Sequence, residues 1–171
     1  MLATEELIQV GFSLHQEGKL EEAENAYKQA LAQDSDNAEI YNLLGVLKLQ
    51  QKDVISAVNF VEKAVEKQPN AYFYETLFQT YIRAKLYKEI VKRAQEVLKK
   101  FPNDFSLMFN LALAYKNLKR NKEAINFYER ALKIDPSSYD AWFNLSHLYS
   151  VEAQTNNALS ALKICQKIRP Y

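Results

Sequence analysis

The sequence contains few of the residues that interrupt helices. Its 171 residues include only three glycines and four prolines, so long helices joined by short turns are expected. A single cysteine, Cys165, excludes an internal disulfide framework and fits a reducing compartment. We therefore expect a helical protein whose stability comes from packing and not from covalent links.

No charge of one sign dominates the sequence. It has 22 lysines and arginines against 21 aspartates and glutamates, so no global field would attract nucleic acid or anionic lipid. The opening segment MLATEELIQV lacks the basic start and the apolar core of a signal peptide. No apolar run approaches the roughly 20 residues of a membrane span. We expect a cytoplasmic protein with neither a nucleic-acid partner nor a membrane-inserted segment.

The four prolines occur at a regular interval along the sequence. Pro69, Pro102, Pro136 and Pro170 recur at nearly equal intervals of about 34 residues. Other residue types share this period, since Ala124 and Ala158, for example, are separated by the same interval. Two residue types with one period indicate internal repeats.

Each repeat contains two segments with helical spacing of its apolar residues. In the fourth repeat, FSLMFNLALAYKNL and KEAINFYERALKI flank the polar break KRN, and a proline follows the second segment. The pattern predicts five antiparallel helix–turn–helix repeats, which must stack because one hairpin cannot bury its apolar faces alone. We place them at about residues 4–37, 38–70, 71–104, 105–138 and 139–171.

The residue series within a repeat resembles the signature of the tetratricopeptide repeat family. The fourth repeat carries the series in full: Met108, Leu111, Ala112, Tyr115, Ala124, Tyr128, Ala131 and Pro136. In the second repeat Lys48 stands where the family usually has tyrosine. The resemblance covers nearly the whole chain and implies an all-α fold, a right-handed superhelical α-solenoid that forms a single domain over residues 1–171.

The third repeat departs from this signature. Phe78, Ile90 and Val97 fill positions that are small in most other repeats, and Ala94 fills one that is usually large. These changes predict a wider helix pair and altered curvature around residues 71–104.

The resemblance also implies a binding site, because in this family the first helices of successive repeats line a concave groove for an extended peptide or partner segment. Transferred position by position, the predicted groove residues are Phe12, Asn42, Val46, Tyr72, Gln79, Arg83, Phe109, Asn110, Leu113, Lys116, Phe143, Asn144 and His147. Asn110 and Asn144 are separated by one repeat length and resemble the asparagine ladder with which family members hold a partner's backbone. The groove would be mildly acidic, which favours a hydrophobic peptide with a few basic residues.

The sequence offers no catalytic motif. Its two histidines, His15 and His147, lie in the first and the last repeat, and no HExxH, CxxC or glycine-rich phosphate loop occurs. We predict a protein that is not an enzyme and that has no catalytic, metal or cofactor site.

The apolar surface of the last predicted helix suggests functions other than that of a simple scaffold. Leu159, Leu162, Ile164 and Ile168 give it an apolar surface, which a further segment or a second copy would cover. We expect a fragment or one arm of a longer protein. The favoured function is a protein-interaction scaffold that binds a protein or peptide partner. The alternatives are the substrate-recruiting arm of a larger enzyme, such as a glycosyltransferase, and a module that self-associates through its C-terminal repeat.

Overall fold

The computed structural model describes residues 2–170, which form helices and turns without a strand. The ten helices are α1 (Thr4–Gln16), α2 (Leu20–Gln33), α3 (Ala38–Gln50), α4 (Val54–Lys67), α5 (Ala71–Arg83), α6 (Tyr87–Lys100), α7 (Phe105–Asn117), α8 (Asn121–Ile134), α9 (Tyr139–Val151) and α10 (Thr155–Ile168). The predicted all-α class is confirmed. Within residues 2–170, none of the helices is both long enough and apolar enough to cross a membrane.

Polar caps fix where the first helices of the repeats begin. The side chain of Asn37 accepts hydrogen bonds from two backbone N–H groups of α3, and Asn70, Asp104 and Ser138 each accept one at the start of α5, α7 and α9. These bonds satisfy donors that have no partner inside the helix. Each first helix from α3 to α9 begins one residue after its cap and has a length of 13 residues.

All five turns inside the repeats use one backbone geometry. Each contains a residue with positive φ: Gly18 at 79°, Lys52 at 65°, Lys85 at 58°, Lys119 at 61° and Ala153 at 58°. Such angles cost an L-residue energy that glycine avoids. The turns therefore keep one conformation although only the first of them has glycine.

The helices form two compact units, which are divided in the chain between Ala84 and Lys85. We call α1–α5 the N-terminal half and α6–α10 the C-terminal half. The division lies in the third repeat, whose small positions are filled by Phe78, Ile90 and Val97, and each of these side chains is buried. The expected wide helix pair and the single domain over residues 1–171 both stay predictions.

Close contacts between paired helices explain why two helix positions, Gly11 and Gly45, carry glycine. A Cβ atom on Gly45 of α3 would overlap Cγ2 of Val61 on α4, and one on Gly11 of α1 would lie 2.6 Å from Cε1 of Tyr27 on α2. Both positions are far inside van der Waals contact. The side chains of Val61 and Tyr27 therefore occupy the space that these glycines leave empty.

Polar bridges join the second helix of one repeat to the first helix of the next. The Tyr149 hydroxyl donates to Glu129 Oε1 at 2.6 Å between α9 and α8. Lys48, at the position that is tyrosine in the fifth repeat, donates from α3 to Glu24 Oε2 of α2 at 2.7 Å. The lysine thus replaces the tyrosine without losing the bridge between repeats.

Candidate functional site

In the N-terminal half, the predicted groove residues lie on the first helices α1, α3 and α5. Phe12, Val46, Gln79 and Arg83 are exposed, and Tyr72 is 60% exposed. A groove of about 570 Å³ is lined by α3 and α5 and by the turn after α3, with Val46, Leu49, Gln50, Lys52, Tyr72, Glu75, Thr76, Gln79 and Arg83. The structure therefore brings four of the predicted residues of this half into one groove, between α3 and α5.

Asn42 does not reach that surface. It is 1% exposed, and its Oδ1 atom has no hydrogen-bond partner among residues 2–170. A buried carbonyl oxygen without a partner costs about 1–3 kcal/mol. The structure thus places Asn42 inside the packing of the repeats, and its predicted contact with a ligand stays a prediction.

The charges on this half are divided between the two ends of the helices. Glu5 and Glu39 lie in the first turns of α1 and α3, and they line a second hollow of about 640 Å³ with Leu2, Glu6, Ile8, Gln9 and Val10. At the opposite ends of the first helices, Lys52 lies in the turn after α3 and Arg83 in the last turn of α5. One edge of the face is therefore acidic and the other basic.

Lys52 is a groove residue that the sequence analysis missed. It lines the groove from the turn after α3, where its φ of 65° reverses the chain. The predicted groove residues all lie on first helices, so no turn residue was among them. Each repeat has a turn residue with positive φ at the position equivalent to Lys52. This recurrence is the signal by which Lys52 could have been found.

In the C-terminal half, an exposed aromatic side chain lies on α9. Phe143 is 51% exposed and stacks on Tyr139 with ring centroids 6.0 Å apart. Phe109 occupies the equivalent position on α7 but is half-buried, because its ring packs 5.8 Å from that of Phe105 and 5.4 Å from that of Tyr128. Only one of these two equivalent phenylalanines leaves most of its ring available to a partner.

The two asparagines of the predicted ladder have different surroundings. Asn110 on α7 is 6% exposed. Asn144 on α9 accepts a hydrogen bond from Lys116 Nζ at 2.6 Å and donates one to the carbonyl oxygen of Asp140 at 2.7 Å. Burial lowers the pKa of the Lys116 ammonium. The carboxamide of Asn144 is therefore engaged within the protein by one accepted and one donated hydrogen bond, and it keeps one further donor and one further acceptor site.

The remaining predicted residues of this half surround that pair or lie at the C-terminal edge. Leu113 is half-buried and His147 is exposed. On α10, Leu159 and Leu162 are exposed, Ile164 and Ile168 are half-buried and Cys165 is buried. A hollow of about 530 Å³ at this edge is lined by Tyr139, Phe143, Leu162, Cys165, Gln166, Arg169 and Pro170.

Four family models match the chain, and together they cover residues 11–70 and 106–162. A model described as TPR repeat matches residues 11–52. Models described as tetratricopeptide repeat match residues 38–70, 106–138 and 127–162. A sequence comparison with curated proteins finds no significant match.

Solved structures show the same fold. The crystal structure of YrrB, described as a TPR protein with an unusual peptide-binding site, is 23% identical with a TM-score of 0.77, over 96% of this chain and 85% of that one. A double mutant of MamA is 17% identical with a TM-score of 0.86, over 96% and 93% of the two chains. Another MamA structure is 20% identical with a TM-score of 0.85, over 96% and 91%. These likenesses confirm the predicted α-solenoid.

Proposed function

This chain belongs to the tetratricopeptide repeat family, and we propose that it is a protein-interaction scaffold whose first helices bind an extended segment of a partner protein. The observation that carries the proposal is Tyr72, which remains 60% exposed on the wall of the groove between α3 and α5. A large aromatic ring on a surface that packing leaves uncovered is typical of binding hot spots. YrrB, which has this fold, is described as having a peptide-binding site.

The groove combines an apolar wall with groups that can hold a peptide backbone. Val46, Leu49 and Tyr72 supply apolar area, and the side chain of Gln79 supplies both a donor and an acceptor. Gln79 Nε2 already donates to Glu75 Oε1 at 3.1 Å, which orients its carboxamide before a ligand arrives. Pre-orientation reduces the entropy that is lost on binding.

The charged edges favour a particular class of ligand. Glu5 and Glu39 line the hollow at the helix starts, so a partner segment with basic side chains on that edge would be stabilised there. The expected ligand is a hydrophobic segment with a few basic residues. First helices about 10 Å apart give a face of about 20 Å from α1 to α5, which fits about six residues of extended chain.

In the C-terminal half, Phe143 and the Lys116–Asn144 pair form the corresponding face on α7 and α9. Lys116 is held at 2.6 Å from the Asn144 carboxamide oxygen. A ligand carbonyl could take the place of that oxygen, because an ammonium group has three donors and can turn between acceptors. Asn144 would then be free to bind the partner's backbone.

Peptide selection tests the proposal. A display library of random short peptides is selected against the 171-residue chain, and the most enriched peptide is measured by fluorescence anisotropy. Tyr72→Ala is expected to weaken its binding at least about tenfold, or about 1.4 kcal/mol. Glu39→Lys should reduce the affinity for peptides with basic residues more than for their neutral variants.

The matched control is Ile55→Ala. Ile55 is 79% exposed on α4 and lies outside both hollows of the N-terminal half. Its loss should leave the peptide affinity unchanged. If Tyr72→Ala and Ile55→Ala bound the peptide equally well, or if no peptide were enriched, the groove would not be the binding site.

A further inference from the structure

The contact between the fourth and fifth repeats shows how one repeat receives the next. On α8, the side chains of Ile125, Tyr128 and Leu132 belong to one buried cluster with Leu145 and Leu148 of α9. One repeat length further along the chain, the equivalents on α10 are Leu159, Leu162 and Gln166. Leu162 is 45% exposed and Leu159 is 52% exposed. Two of the three apolar positions that receive a first helix on α8 are therefore apolar and exposed on α10.

The opposite face is uncovered at α1. Leu44 on α3 and its equivalents Leu77, Leu111 and Leu145 are at most 1% exposed, because each of these first helices packs against the preceding repeat. The equivalent residue on α1 is Val10, which is 43% exposed. Helix α1 thus presents one apolar side chain of the docking face, whereas Glu6 and Ser13 stand where α9 has the buried Ala141 and Leu148.

The two uncovered faces carry opposite charges. Helix α10 contains Lys163 and Lys167 but no acidic residue, and Arg169 lines the adjacent hollow. Helix α1 contains Glu5 and Glu6 but no lysine or arginine. The hollow beside Val10 is lined by three glutamates, Glu5, Glu6 and Glu39.

The direction of packing brings these charges together. Neighbouring helices such as α8 and α9 run antiparallel and are joined by the short segment Asp135–Ser138. The first turn of α9 therefore lies beside the last turn of α8. In the same arrangement, Glu6 in the first turn of α1 would lie beside Lys167 in the last turn of α10.

We propose that α10 of one copy docks on α1 of a second copy, as α8 docks on α9 within the chain. The partner that fits the open C-terminal face is thus another molecule of this protein, bound head to tail. Since the contact joins α10 of one copy to α1 of the next, it is heterologous, and copies add head to tail. This self-association uses the end faces of the repeats and does not involve the groove between α3 and α5, but the hollow lined by Glu5 and Glu39 would serve both contacts.

Size-exclusion chromatography with light scattering tests the proposal on the 171-residue chain. The average mass of the wild type is expected to rise continuously with concentration, from 19.8 kDa through multiples of it. Leu162→Glu blocks the face on α10, and Val10→Glu blocks the face on α1. Each variant alone should remain monomeric at concentrations where the wild type associates.

Mixing the two blocked variants provides the decisive measurement. The Leu162→Glu chain keeps a functional α1, and the Val10→Glu chain keeps a functional α10, so an equimolar mixture should form a dimer and nothing larger. Ile55→Glu, on an exposed position of α4, is the control and should associate like the wild type. Circular dichroism of each variant establishes that the helices are intact.

Charge reversal gives a second test that does not depend on the apolar substitutions. Lys163→Glu together with Lys167→Glu should lower the association constant at least tenfold, and added salt should weaken the wild-type association. A wild type that stays monomeric throughout would overturn the proposal. So would a wild type that stops at a dimer, or a mixture of blocked variants that stays monomeric.

Discussion

Lys48 Nζ lies 2.7 Å from Glu24 Oε2, and this contact ties the first repeat to the second. Both side chains are only 14% exposed. Lys28 Nζ binds the other carboxylate oxygen at 2.8 Å, and Gln51 Nε2 donates to Glu24 Oε2 at 3.1 Å. Burial alone would raise the pKa of Glu24, but the hydrogen bonds from Lys28, Lys48 and Gln51 outweigh it and lower the pKa to about 2.

The lowered pKa of Glu24 predicts a loss of stability in acid. Because the folded-state pKa lies below the unfolded value of 4.5, the contribution is complete above pH 4.5 and disappears as the pH falls towards 2. We expect it to be about 1–3 kcal/mol, since one pKa unit corresponds to about 1.4 kcal/mol. In urea unfolding, the free energy of unfolding should differ less between pH 7 and pH 3 in Glu24→Gln than in the wild type.

The control for that experiment is Glu21→Gln, because Glu21 is an exposed residue of the same helix. It should keep the pH dependence of the wild type. Equal pH dependence in Glu24→Gln and Glu21→Gln would show that the bridge to Lys48 does not link protonation to folding.

The turn geometry predicts opposite effects of glycine and alanine. Ala153 has a φ of 58°, so Ala153→Gly should raise the free energy of unfolding by about 1 kcal/mol. Gly18 has a φ of 79°, and a Cβ atom there would have no neighbour within 4 Å. Gly18→Ala should therefore lower the stability by about 1 kcal/mol through backbone strain alone. Chemical denaturation measures both, and shifts of the same sign would contradict the explanation.

The contact between Gly45 and Val61 predicts energetic coupling. Gly45→Ala places a Cβ atom where Val61 Cγ2 already lies, so we expect a loss of about 1–3 kcal/mol from overpacking. Val61→Ala alone should cost about 2 kcal/mol by leaving a cavity. In the double variant the new methyl group enters the space that valine leaves, so the combined loss should be smaller than the sum of the two. Additive losses would mean that the helices move apart instead.

A substitution of Asn42 tests whether this residue contributes to packing or to ligand binding. Asn42→Leu removes the buried Oδ1 atom that lacks a partner. The substitution should raise the free energy of unfolding by about 1 kcal/mol or leave it unaltered. If Asn42 has no contact with the ligand, the affinity for the selected peptide should also be unchanged. A large loss of affinity in a stable Asn42→Leu variant would mean that the groove opens and exposes this residue when it binds.

The repeat period predicted the fold well because the local signals agree with one another. Pro69, Pro102 and Pro136 mark helix ends, and Asn70, Asp104 and Ser138 then cap the following helices. The surface of the site was harder to predict. Phe109 and Phe143 occupy equivalent positions, yet Phe109 is half-buried and Phe143 is exposed. A single repeat signature assigns one role to both positions, whereas their exposure depends on the neighbours that surround each one.

The burial of Cys165 gives this protein an intrinsic kinetic reporter. It is the only cysteine of the chain, it is 4% exposed, and burial raises the pKa of its thiol. Reaction with a thiol reagent is therefore expected to be slow while α10 is in place and to speed up when α10 detaches or the chain unfolds. The rate of modification measures how often the last repeat opens, without any engineered label. Because Cys165 lies beside Leu162 in the terminal hollow, the same thiol would also report how long a docked neighbour remains in place.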